Sequence, residues 1–120
     1  MHVRKNSEIQ PIKGSEGTTV KQFFHPHNTQ NGINYSIAQF SLESGRKTLK
    51  HKLKSSEIYY ILEGHAKIEI NLESFELRKD DSAYVPPEAE QQIENLGDEV
   101  LKFLCIVEPA WKVEDEIILE

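Results

Sequence analysis

The chain has a single cysteine, Cys105, so no disulfide can form within it, and the single Met and Trp leave little material for a Met-rich or Trp-rich binding face. It has no apolar run long enough to cross a membrane, and no apolar N-terminal stretch resembles a signal peptide. A reducing cytoplasm is therefore the expected location, with no membrane partner. Helical periodicity is also lacking, since no segment before the tail repeats its apolar residues at three- and four-residue steps. Positive charge is scarce against a net charge of -6, and the one compact basic stretch, Arg46 to Lys54, has no interleaved aromatic residues. Nucleic acid is not an expected partner. An anionic small molecule is a better match for those lysines than nucleic acid, and a solvated loop or edge whose lysines discourage strand-to-strand aggregation is the reading favoured over both.

What is present fits one folded domain. The chain has 120 residues, of which 38% are hydrophobic and 28% charged, enough to bury one core and too apolar for disorder throughout. Residues 1–22 read as an N-terminal arm, polar up to residue 19, punctuated by Pro11, Gly14 and Gly17, and able to add at most one edge strand. Residues 23–111 form the body, and residues 112–120 a tail apolar enough to dock as a short turn or strand.

Within the body short β-like runs follow one another. Tyr35 to Glu43 alternates Ala38, Phe40 and Leu42, and Ile58 to Glu63 is rich in β-branched and aromatic residues. His65 to Leu72 alternates over eight positions, and Phe75 to Arg78, Ser82 to Val85, Gln91 to Glu94 and Leu101 to Val107 continue the series. Turn residues separate them at Asn31-Gly32, Ser44-Gly45, Glu63-Gly64, Lys79-Asp80-Asp81, Pro86-Pro87 and Asn95 to Asp98. Short strands with regular turns predict an all-β sandwich or barrel.

Two stretches stand out by spacing. Gly45, His51, Leu53, Glu57 and Gly64 are separated by five, one, three and six residues, and Asp80, Pro86, Glu88, Gln91 and Asn95 follow at steps of their own. This pattern resembles the two motifs of the cupin superfamily, G-x5-H-x-H-x3-4-E-x6-G and G-x5-P-x-G-x2-H-x3-N. The resemblance implies a double-stranded β-helix, or jelly-roll barrel, with one divalent metal inside, such as Zn, Mn, Fe or Ni. His51 and Glu57 match ligand positions, Leu53 stands where the second histidine would be, and Gln91 stands at the third. The implied metal ligands are thus His51, Glu57 and Gln91, an incomplete set, because leucine cannot ligate and an amide oxygen is a weak neutral donor.

Strand parity adds an independent expectation. Glu57, Tyr59 and Ile61 share one face, and charged Lys102 and Glu108 turn Phe103, Cys105 and Val107 inward. Leu53, Tyr59, Phe103 and Cys105 are accordingly expected to line a pocket, with Glu57 as the candidate catalytic base. A carboxylate there needs a metal, a cation or a proton beside it. His25 and His27, flanking Pro26, could supply an extra ligand, His25 in particular. The resemblance implies a small-molecule-binding protein. One reading is a divalent-metal-dependent enzyme acting on a polar, oxygen-rich metabolite such as a sugar or organic acid; the other is a non-catalytic, metal-free ligand-binding module. Apolar residues on both faces of Ile58 to Leu62 lead to the expectation of a homodimer.

Overall fold

The computed structural model describes residues 2–14, 18–29 and 32–119. Its strands are β1 (Ile12–Lys13), β2 (Thr18–Phe24), β3 (Ser36–Leu42), β4 (His51–Leu53), β5 (Ser56–Glu63), β6 (His65–Ile70), β7 (Glu73–Arg78), β8 (Ser82–Val85), β9 (Gln91–Asn95), β10 (Leu101–Glu108) and β11 (Glu116–Ile118). They form a six-stranded sheet in the order β1-β2-β3-β10-β5-β8 and a five-stranded sheet in the order β11-β4-β9-β6-β7. Every pairing between these strands is antiparallel. Among the described residues no helix is long and apolar enough to cross a membrane.

The two sheets face each other across a core that follows directly from period-two alternation. Ile61 of β5 and Leu101 and Phe103 of β10 pack from one sheet, while Ala66 and Ile68 of β6 and Ile93 of β9 pack from the other. Their intervening neighbours, such as Lys67, Glu94 and Lys102, face outward. Gly64 joins β5 to β6 with φ at +106°, and a Cβ there would come within 3.2 Å of the Leu101 Cα, so a larger residue would be strained in this turn and crowd Leu101.

The runs expected from the sequence appear with small changes of boundary, and four differences are informative. The arm contributes two strands rather than one, because Thr18 to Phe24 is a full strand paired along β3, crossing the expected boundary between residues 22 and 23. β4 had no periodic signal, since three residues are too few to show one. The tail adopts the strand alternative, pairing β11 with β4. The eight-residue alternation ends early: β6 stops at Ile70, Asn71 takes φ +56°, and Leu72 is 97% exposed in a two-residue hairpin turn. Gly17, and Asn31 of the expected Asn31-Gly32 turn, lie outside the described residues.

Candidate functional site

The inner faces of β4, β5, β9 and β10 converge at one end of the barrel. Register fixes the meeting: His51 is the Cα partner of Gln91, Tyr59 of Cys105, and Glu57 of Val107. Five expected site residues, His51, Glu57, Tyr59, Gln91 and Cys105, are thereby brought together from segments as far as 54 positions apart. A cavity of about 270 Å³ opens beside them, lined by His51, Leu53, Glu57, Tyr59, Phe103 and Cys105 among others.

Hydrogen bonding defines what each polar group can still do. His51 Nδ1 lies 3.0 Å from the Leu49 carbonyl, which can only accept, so Nδ1 carries the proton and Nε2 presents a lone pair in the neutral ring. The Tyr59 hydroxyl donates to Gln91 Oε1 in a short bond inside the core. Gln92, one residue on, faces the other way and donates to the Thr48 carbonyl at 2.7 Å, so the strand register selects Gln91 for the interior.

Glu57 is 5% exposed, and its Oε1 has no hydrogen-bond partner among the described residues. Burial pushes its carboxyl above the ordinary value of 4.5; the Cys105 thiol, the charge of His51 and the Gln91 side chain partly offset this, while Glu116 adds to it. Burial likewise holds the Cys105 thiol and the Tyr59 phenol well above their usual ranges, with Glu57 contributing to both. Cys105 is therefore a protonated core thiol and an unpromising nucleophile.

The donor set is poor for a metal. His51 offers one nitrogen and Glu57 one carboxylate, Leu53 is buried at the position of a second imidazole, and the Gln91 oxygen already accepts from Tyr59. Among the described residues no three His, Cys, Asp or Glu side chains come together as a group able to hold a metal ion. His25 does not supply the missing ligand. Its Nε2 donates to the Trp111 carbonyl at 2.8 Å, its Nδ1 accepts from the His27 amide at 3.2 Å, and its ring stacks on His27. It ties the loop after β2 to the C-terminal segment and is absent from the cavity wall.

Sequence reasoning missed the residues that wall the mouth: Ile12 from β1, Val20 and Gln22 from β2, Trp111, and Glu116 and Ile118 from β11. The apolar run Ile117-Ile118-Leu119 allowed a short turn or strand, but nothing local indicated where it would dock.

Residues 38–107 match the family model described as the cupin domain. An uncharacterized protein of Methanocaldococcus jannaschii is 40% identical over 114 residues, covering 94% of this chain and 90% of that protein. A predicted oxalate decarboxylase of Thermotoga maritima superposes with a TM-score of 0.80 at 24% identity, over 89% of this chain and 98% of that one. The oxalate decarboxylase of Bacillus subtilis, described with Mn(II) centres, superposes with a TM-score of 0.81 at 26% identity, over 94% of this chain and 30% of that longer one.

Proposed function

The chain belongs to the cupin domain family, and from that premise we propose that it is a small-molecule-binding protein whose barrel pocket works without a resident metal ion. One observation carries the proposal: the cavity that would house a metal is walled by Leu53, Phe103 and other apolar residues, and His51, Glu57 and the wall residue Glu116 are not gathered into a group able to hold an ion among the described residues. Fewer than three gathered donors leave a divalent ion dependent on water or on a second molecule for most of its coordination, which makes a tight resident site unfavourable. The same lining favours burial of an organic molecule, with the polar cluster fixing one end of it. Because fold alone fixes no reaction, the proposal is one of binding rather than of a named transformation.

Elemental analysis of protein purified without a histidine tag tests this, together with thermal melts in the presence and absence of a chelator. The expected result is metal far below stoichiometric and a melt the chelator does not move. Stoichiometric metal, with a melt lowered by chelation, overturns the metal-free reading, since a resident ion's binding energy adds to folding stability.

We also propose that two copies pair through the outer face of the six-stranded sheet. Ile58 and Tyr84 are Cα partners on that face and stay 41% and 59% exposed, forming an apolar patch beside the half-buried Tyr60 and Ile106.

A further inference from the structure

We propose that the pocket takes an organic amine, with its ammonium head beside Glu57 and His51 and an apolar body packed against Phe40, Phe103 and Leu53. This rests on the small-molecule reading above and narrows it to one class of ligand.

Next to Glu57 the polar atoms left over include acceptors. Glu57 Oε1 is buried with no partner among the described residues, and in the neutral His51 ring Nε2 is the acceptor, since Nδ1 donates to the Leu49 carbonyl. The Tyr59 hydroxyl donates its one hydrogen bond to Gln91 Oε1 and has only lone pairs left to offer. An occupant that satisfies them must bring donors. An ammonium group carries three N–H donors and no acceptor; an alcohol brings one donor, and a carboxylate brings none.

Charge points the same way. Two carboxylates, Glu57 and Glu116, line the cavity against a single lysine, Lys13, which is exposed at the rim, and no arginine lines it. A carboxylate ligand would be buried against the like charge of Glu57, whereas an ammonium supplies a counter-charge to it. The aromatic walls bear on the rest of the ligand. Phe40 and Phe103 stack with ring centres 5.4 Å apart, and Tyr59 tilts against Phe103 at 5.5 Å, so the body of the ligand meets an aromatic wall. The volume of about 270 Å³ sits at the small end for ligand pockets, which sets the body at about the size of one aromatic ring and a short linker.

Three probes with the same body separate the possibilities: phenethylamine, 2-phenylethanol and phenylacetate, titrated calorimetrically into the untagged protein and into Glu57→Gln. Phenethylamine is expected to bind about tenfold or more tighter than the alcohol, the worth of a hydrogen bond to a charged group, with phenylacetate weakest. In Glu57→Gln, whose fold is checked by its melt, the amine's advantage over the alcohol should fall to near parity. If the alcohol or the acid binds as well as the amine, or if the amine's advantage survives the substitution, the amine assignment is overturned while the pocket reading stands. Failure of all three probes to bind overturns both.

Discussion

Glu57 is the residue on which the chemistry of this barrel turns, because it is the one buried side chain among those described whose polar atom has no partner. Its carboxyl is held above 4.5 by burial, whereas in the unfolded chain it titrates near that value. Between the two values the folded state keeps a proton that the unfolded state has released, so stability falls as pH rises through this window. Above the raised value the cost of an ionised carboxylate with one unpartnered oxygen is present, offset only in part by Cys105, His51 and Gln91. Glu57→Gln keeps the shape and removes the titration. It should match the parent below pH 4.5 and exceed it by about 1–3 kcal/mol well above the window, the usual cost of an unsatisfied buried polar group. Denaturant melts of both proteins across this range check the sign. A glutamine variant less stable than the parent at alkaline pH would mean that the carboxylate has a partner stabilising its charge.

Turns and strands show how far the sequence could be followed. The motif resemblance placed glycines at positions 80 and 88, where this chain has Asp80 and Glu88, and the backbone nevertheless takes the left-handed conformation at both, with φ of +72° and +69°. Asp80 is partly compensated, since its side chain accepts a hydrogen bond from the Tyr60 hydroxyl at 2.9 Å. Glu88 is exposed, and its amide donates to the Leu53 carbonyl, a bond that survives any side chain. Glu88→Gly should therefore stabilise the protein by roughly 0.5–1 kcal/mol, read as a higher denaturant midpoint with an unchanged slope. Loss of stability would show that Glu88 makes a contact worth more than its backbone strain. The motif spacing made His51, Glu57 and Gln91 legible, and parity made Tyr59, Phe103 and Cys105 legible, because both are short-range properties of a strand. Ile12, Trp111 and Glu116 were not legible, since the chain ends reach the pocket through long-range pairing that leaves no local pattern. Leu72 misled for the opposite reason: a hairpin turn prolonged the alternation by one apolar residue.

For the molecule as a whole, the outer patch at Ile58 and Tyr84 predicts a dimer at micromolar concentration by sedimentation equilibrium. Tyr84→Lys should shift it to monomer, placing like charges opposite one another across the two-fold contact while leaving the barrel interior untouched. A monomeric parent removes the proposal. The division of labour between barrel and chain ends has a different kind of consequence. The acid and imidazole sit on strands locked into the sheets, but much of the mouth is built by β1 and β11, of two and three residues, at the outermost positions of their sheets. Substitutions at Ile12 or Ile118 can reshape the opening with little cost to the core, since neither belongs to the buried core cluster. Diverging descendants of such a chain could thus change which molecule they admit by drift at the two ends while inheriting the chemistry of the interior unaltered.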